Sequence, residues 1–169
     1  MRNKFFNEDE FTYTLKTIET DPYTAEERIK RYLEKYPRDY YARAYYVIIL
    51  TIVCKIDEAT EEYNKIISDV TNDKFFDVVS KNYKKYKAFK FNMVIARMKI
   101  LAAKDKYQEL YDFFLENYAI LDIGYKNTIG YTCEIKLGML KPSDIPSRPY
   151  RLNQTIDYSE ERFFEHIKH

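Results

Sequence analysis

Apolar residues in the first part of the chain recur at helical spacing and are interrupted by short polar breaks. Asn7 predicts the start of a first helix, which should end before Asp21. Thr24, with Glu27 three residues later, predicts the N-cap and capping box of a second helix. Pro37 should end that helix, because the residue before a proline disfavours the helical conformation. The apolar face expected for the second helix consists of Ala25, Ile29, Tyr32, Leu33 and Tyr36.

The third predicted helix is apolar on almost every side. It opens at Asp39 and runs to about Lys55. A helix without a polar side is buried on several sides, so this segment should lie at the centre of the fold. Asp57 predicts the cap of a fourth helix that continues to about Val70.

The pattern remains helical from Lys74 to Lys104, which is too long for one typical globular helix and predicts a break near residues 80–82. Asp105 should start the next helix, and Gly124 should form a turn before another helix from about Tyr125 to Gly138.

The sequence changes character at Lys141. Three prolines between positions 141 and 149 predict an extended segment, followed by a short terminal helix after Ser159. The extended arm should lie over the last hairpin with alternate residues buried: Tyr150, Leu152, Ile156 and Tyr158. It could act as a cap on the end of the protein or as an arm that binds a partner.

Composition indicates one soluble globular domain. The chain has 169 residues, 46% hydrophobic and 33% charged, and its 3 Gly and 5 Pro favour long helices. We expect a helical domain over residues 1–140, with the extended segment and capping helix of residues 141–169 packed on it.

The N-terminus lacks the apolar region of a signal peptide, and the longest apolar run, from Ala44 to Cys54, is too short to span a bilayer. These features predict a cytoplasmic protein, and a usage rich in Tyr, Lys, Ile and Asn is typical of AT-rich bacterial genomes. Cys54 and Cys133 are both expected in the core as free thiols, although a disulfide between them stays open.

Residues 21–70 resemble the tetratricopeptide repeat. Ala25 and Ala59 stand 34 positions apart, the period of that helix hairpin, and mark the small residue at the start of its second helix. Tyr36 and Pro37 fall where the family has its terminal proline. Residues 92–121 fit more loosely, and the Leu-Gly pair expected in the first helix is replaced by Tyr46 and Val47.

This resemblance implies an all-α fold, a short right-handed stack of antiparallel helix hairpins, and a function in binding another protein or a peptide. Proteins of this kind use the concave face formed by the first helix of each pair. Placed by phase, the candidate partner-binding residues are Tyr41, Ile48, Thr51, Asn92 and Lys99.

A basic stretch with interleaved aromatic residues offers an alternative function. Between Lys81 and Lys106 there are nine Lys and Arg residues and one acidic residue, Asp105, a balance of +8 within a chain of net charge +1. Such a stretch could bind RNA or DNA, with lysines on phosphates and aromatic rings on bases, or it could simply be a solvated helix face. The residues proposed for nucleic acid are Lys81, Lys84, Lys85, Lys87 and Lys90.

Motifs for catalysis are missing from the sequence. There is no Gly-rich phosphate loop, nucleophile elbow or His-Glu-x-x-His motif, and we expect no enzyme activity and no cofactor. His166 and His169, with Glu165 one turn before His169, are too few ligands for a tight zinc site at a chain terminus. We therefore expect no metal site and no membrane partner.

Overall fold

The computed structural model describes residues 8–18, 20–73, 83–145 and 150. These ranges form an all-α protein without strands, as the sequence predicts. None of the described helices is long and apolar enough to cross a membrane. The α-helices are α1 (Glu8–Ile18), α2 (Pro22–Lys35), α3 (Tyr40–Ile52), α4 (Ile56–Asn72), α5 (Tyr83–Ala103), α6 (Tyr107–Glu116) and α7 (Ile123–Lys136), with 3₁₀ turns at Tyr118–Ile120 and Pro142–Asp144.

The chain divides into two compact units: an N-terminal unit, Met1–Ile100, and a C-terminal unit, Leu101–His169. The division falls near the end of α5. The predicted organisation into residues 1–140 and 141–169 stays a prediction. The predicted break near residues 80–82 and the predicted terminal helix lie outside the described residues.

The first two helices of the N-terminal unit, α1 and α2, run antiparallel. Phe11, early in α1, contacts Tyr32, late in α2, with ring centroids 5.7 Å apart. At the other end of this pair, the Arg28 guanidinium donates a hydrogen bond to the Thr17 hydroxyl at 2.6 Å. Because the start of one helix meets the end of the next, the short connection between them closes a helix hairpin.

The α3–α4 pair is arranged in the same way. Arg43, in the first turn of α3, donates to Asp69, near the end of α4, at 2.6 Å and to Glu62 at 2.9 Å. The Tyr40 hydroxyl donates to Asp73, at the end of α4, at 2.6 Å. Phe89 of α5 packs edge-on against the Tyr40 ring at 6.4 Å, so α5 contacts α3 within this unit.

The two alanines that set the 34-residue spacing occupy equivalent positions. Ala25 and Ala59 both have 0% exposure, and each is the residue whose amide donates to the carbonyl of the helix N-cap, Asp21 and Lys55 respectively. A residue without a large side chain lets a neighbouring helix approach closely at these points. The stacking of such hairpins into a tetratricopeptide-like solenoid stays a prediction.

Two predicted helix starts are wrong by a few residues. The cap of α2 is Asp21, whose carboxylate accepts from the Thr24 amide at 3.1 Å, and Pro22 fills the first helical position, where its missing amide proton costs nothing. α4 begins at Ile56 with Lys55 in the N-cap position and no side-chain cap, so Asp57 lies inside the first turn. Asp39 caps α3 as predicted, accepting from the Ala42 amide at 3.0 Å.

Three helices end in the same kind of turn. After α3, α5 and α7, an amide bonds to the carbonyl five residues earlier: Lys55 to Leu50 at 2.8 Å, Lys106 to Leu101 at 3.0 Å and Met139 to Glu134 at 2.8 Å. The residue before each of these amides is left-handed, with φ of 62° at Cys54, 56° at Asp105 and 73° at Gly138.

This turn corrects three sequence-based expectations. Asp105 ends the turn after α5 instead of starting α6. Cys54 is exposed, not in the core, because the left-handed turn carries it out of α3; Cys133 is buried as expected, and both thiols are free. Gly124 lies in the first turn of α7, so the turn predicted there is absent.

In the C-terminal unit, α6 and α7 form one antiparallel hairpin. The Lys136 ammonium lies 5.3 Å from the Tyr107 ring centroid at one end, and the Lys126 ammonium lies 4.3 Å from the Tyr118 ring centroid at the other. Burial raises the pKa of the Cys133 thiol, in the middle of α7, to about 11. Tyr150, after the proline-containing segment, is 5% exposed and belongs to this unit.

Candidate partner-binding site

Tyr41 lies in a triangle of aromatic rings on the predicted partner-binding face. Its ring centroid is 5.3 Å from Phe11 of α1 and 5.2 Å from Tyr45 of α3, and Phe11 and Tyr45 are 5.6 Å apart. All three pairs meet edge to face, which suits the quadrupoles of the rings. Phe11 is buried, whereas Tyr41 and Tyr45 are half-buried. Tyr41 and Tyr45 are therefore partly exposed beside a buried aromatic ring.

The Tyr41 hydroxyl brings the predicted residues of α3 and α5 together. Burial raises the pKa of Tyr41 well above its ordinary value, the nearby Tyr45 hydroxyl raises it further, and the Asn92 amide opposes the rise. Asn92 is 4% exposed, and among the described residues its Nδ2 atom has no hydrogen-bond partner. The Asn92 amide therefore lies near enough to influence the Tyr41 hydroxyl but outside hydrogen-bonding geometry.

The other three predicted partner-binding residues differ in exposure. Ile48 is 8% exposed and belongs to the core, so it offers little accessible surface. The Thr51 hydroxyl donates to the Ile48 carbonyl at 2.7 Å and is thereby directed at its own helix. Lys99 is half-buried, two turns beyond Asn92 on α5. Within the predicted face, Tyr41 and Asn92 are the residues that the structure joins.

The basic stretch does not form a uniformly exposed surface. Lys87 is exposed, but Lys90 is 8% exposed, between Phe89 and Phe91 in a buried part of α5. Lys84 and Lys85 lie in the first turn of α5, and Lys81 lies outside the described residues. No observation on the described lysines favours nucleic acid over an ordinary helix surface.

A second group of contacts surrounds Tyr150 in the C-terminal unit. Its hydroxyl donates to Glu134 Oε1 at 2.8 Å and lies 3.1 Å from the Tyr111 hydroxyl, which itself is 3.2 Å from the same carboxylate oxygen. Burial, followed by the hydrogen bonds with Tyr111 and Glu134, raises the pKa of Tyr150 well above its ordinary value. The sequence predicted the burial of Tyr150; Leu152, Ile156 and Tyr158 lie outside the described residues.

The main chain of Tyr150 is also held by side chains. Its amide donates to Asn127 Oδ1 at 2.7 Å, and its carbonyl accepts from the Tyr118 hydroxyl at 3.0 Å. We define the Tyr150 site as Tyr111, Tyr118, Asn127, Gly130 and Glu134. Sequence reasoning missed these partners, although Gly130 was a usable signal, because a glycine inside a helical pattern often marks the close approach of another group.

The remaining buried charges have structural roles. The Glu26 carboxylate, 6% exposed, accepts from Lys30 at 2.7 Å and Lys55 at 2.8 Å and thereby joins α2 to the end of α3. Arg43 joins α3 to α4 through Glu62 and Asp69. Each of these charges is paired, which is what a buried ion requires.

In the part of the chain that the structure describes, no group of three or more His, Cys, Asp or Glu residues could hold a metal ion. His166, His169 and Glu165 lie outside that part.

Comparison with known proteins found no family model, no curated protein and no solved structure that matches the chain. The resemblance to tetratricopeptide repeats therefore stays a prediction carried by the residues quoted above.

Proposed function

We propose that this chain is a non-catalytic scaffold that binds a protein or peptide partner through the face carrying Tyr41 and Asn92. The observation that carries the proposal is the cluster of three aromatic rings in which Tyr41 and Tyr45 are half-buried against the buried Phe11, with the buried Asn92 amide beside Tyr41.

The chemistry of the surrounding residues suits a partner's main chain or carboxylate. The Tyr41 and Tyr45 hydroxyls can donate to carbonyl or carboxylate oxygens of a partner. Their rings supply rigid apolar area with a polar end, the combination that dominates the energetics of protein interfaces. Lys99 on the same helix as Asn92 favours a partner with an acidic group.

Capture of partners from the native host tests this proposal. Tagged wild-type protein is compared with Tyr41→Phe, which keeps the ring and removes the hydroxyl, and with Tyr41→Ala, which removes both. Tyr23→Phe is the matched control, because Tyr23 is 65% exposed on α2 and lies outside the proposed face. Bound proteins are quantified by mass spectrometry.

We expect at least one protein that wild type and Tyr23→Phe enrich equally, and that Tyr41→Phe captures less and Tyr41→Ala loses. Circular dichroism checks that each variant is folded. Equal capture by all four folded proteins would overturn the proposal. Capture of RNA that depends on Lys87 and weakens with salt would instead favour the alternative function.

A further inference from the structure

We propose that the Tyr150 site binds an extended chain segment carrying an unmodified tyrosine, and that the chain's own Tyr150 fills it as an intramolecular ligand. The site lies in the C-terminal unit, so the inference does not depend on the function proposed for Tyr41 and Asn92. It assigns a second binding site and the chemical class of its ligand.

The first requirement of the site is a main chain with free hydrogen-bonding groups. Asn127 accepts from the Tyr150 amide at 2.7 Å, and Tyr118 donates to the Tyr150 carbonyl at 3.0 Å. Within a helix these two groups would already be bonded to other main-chain groups. The site therefore suits a segment outside regular helix, whatever its origin.

The second requirement is an aromatic ring that fits over a glycine. A β-carbon on Gly130 would lie 2.7 Å from three carbons of the Tyr150 ring, so the ring uses the space left by the absent side chain. The rings of Phe114 and Tyr131 meet it edge-on, with centroids 5.6 Å and 5.1 Å away. A ring is held on its face by α7 and on its edges by neighbouring aromatic residues.

The third requirement is a free hydroxyl. Glu134 accepts a hydrogen bond from the Tyr150 hydroxyl at 2.8 Å, and the Tyr111 hydroxyl lies 3.1 Å away. A phosphate on the tyrosine would remove the donated proton and place about two negative charges beside the Glu134 carboxylate. The site therefore selects tyrosine over phosphotyrosine, and over phenylalanine to a smaller degree.

The described residues that shortly precede Tyr150 are exposed, and exchange is assigned to the segment that carries it. Lys141 and the four residues after it are exposed, and Met139 and Ile145 are 58% and 46% exposed. Of the described residues from Lys141 onward, Tyr150 alone is buried. A tethered Tyr150 competes with an external ligand through its effective concentration, which is the basis of the experiment below.

A labelled peptide tests the site. The probe is a fluorescein-labelled copy of residues 147–153, titrated with the full chain while fluorescence anisotropy is recorded. Tyr150→Ala empties the site and should bind the probe saturably. If the probe binds with a Kd of about 0.1 mM and the tethered segment has an effective concentration on the order of 1 mM, wild type should bind it roughly tenfold more weakly.

Matched variants separate specific from non-specific binding. Tyr150→Ala combined with Gly130→Val should lose probe binding, because the valine side chain fills the space needed by the ring. A probe with phosphotyrosine should not bind Tyr150→Ala, and a probe with phenylalanine should bind more weakly than the tyrosine probe. Should Tyr150→Ala fail to fold, Tyr150→Phe, which keeps the packing and loses the hydroxyl contacts, should bind the probe better than wild type.

Equal probe binding with and without Gly130→Val, or equal binding of the tyrosine and phosphotyrosine probes, would overturn the inference and leave Tyr150 as a fixed cap. Neither outcome bears on partner capture through Tyr41, since that experiment changes residues of the other unit.

Discussion

The ring of Tyr150 stands where a side chain on Gly130 would be: three of its carbons lie 2.7 Å from the position of an ideal β-carbon on that glycine. Gly130 lies in the interior of α7, where glycine is less favourable than alanine by about 1 kcal/mol. Glycine lowers the helix propensity at position 130, but it leaves the space that the Tyr150 ring needs to approach the helix closely.

This relationship predicts that the effect of Gly130→Ala on the free energy of unfolding has opposite signs in wild type and in a Tyr150→Ala background. In wild type the substitution should destabilise by about 1–3 kcal/mol, because the ring leaves its buried position and that loss exceeds the gain in helix propensity. In a Tyr150→Ala background the same substitution should stabilise by about 1 kcal/mol. Urea unfolding of the four proteins, followed by circular dichroism, measures the coupling.

Gly124 supplies the control for that cycle. It also lies in α7, and its ideal β-carbon meets only the Asp122 carboxylate, at 3.2 Å. Gly124→Ala should therefore have the same effect in both backgrounds. An equal effect of Gly130→Ala in both backgrounds would contradict the contact between the ring and the helix.

Asn92→Leu should raise stability while weakening partner capture. Leucine has a similar volume and lacks the buried amide donor, whose desolvation costs about 1–3 kcal/mol when no acceptor is present. We expect a gain on the order of 1 kcal/mol in the free energy of unfolding, measured in urea. A loss of stability with unchanged capture would show that Asn92 is a structural core residue.

Asp39→Ala should lower the free energy of unfolding more than Asp21→Ala does, although both residues cap helices. Each carboxylate accepts from an amide of the first turn and thereby stabilises the start of its helix. Asp39 also accepts from the Tyr32 hydroxyl at 2.5 Å, and Tyr32 is 1% exposed, so its hydroxyl would lose a buried acceptor. We expect Asp39→Ala to lower the free energy of unfolding by about 2–3 kcal/mol, and Asp21→Ala to lower it by less, in thermal or urea unfolding.

Tyr32→Phe identifies the source of the difference. If the extra cost of Asp39→Ala comes from the Tyr32 hydroxyl, the two substitutions should be less than additive when combined. Full additivity would contradict that explanation.

The helices were predictable from sequence because their apolar residues recur at the helical period, and the burial of Ala25 and Ala59 followed from their equivalent phase. The turns were less predictable. Thr24 and Glu27 match a capping box, but the N-cap is Asp21, three positions before Thr24. The helix begins at Pro22, since proline is favoured at the first helical position. At Cys54, main-chain bonding after α3 overrode the apolar pattern and exposed the side chain.

The candidate sites were predictable only in part. Phase alone placed Tyr41 and Asn92 on one face, but it could not show that Ile48 is buried or that the Asn92 amide lacks an acceptor. The alternation of apolar residues indicated that Tyr150 is buried. Its partners Asn127 and Glu134 are polar residues of α7 whose role depends on tertiary contacts with a segment far along the chain.

The Glu26 carboxylate should make the free energy of unfolding decrease as the pH falls. Glu26→Gln should remove this part of the pH dependence. Burial alone would raise the pKa of Glu26, but the hydrogen bonds from Lys30 and Lys55 more than offset it, so the pKa lies below its ordinary value of 4.5. A carboxylate with a lowered pKa in the folded state contributes stability above its unfolded pKa, and this contribution disappears as the pH falls through the folded pKa.

At pH 7, Glu26→Gln should lower the free energy of unfolding by about 1–3 kcal/mol, since hydrogen bonds to a charged group are lost. As the pH falls below 4.5 and through the lower pKa of folded Glu26, the two proteins should converge in urea unfolding, because a protonated Glu26 resembles glutamine. Glu61→Gln is the control: Glu61 is 67% exposed in its pair with Lys65, so solvent screens the pair and its removal should leave stability nearly unchanged at either pH. A constant difference between wild type and Glu26→Gln from pH 7 to pH 3 would contradict the role of the two lysines.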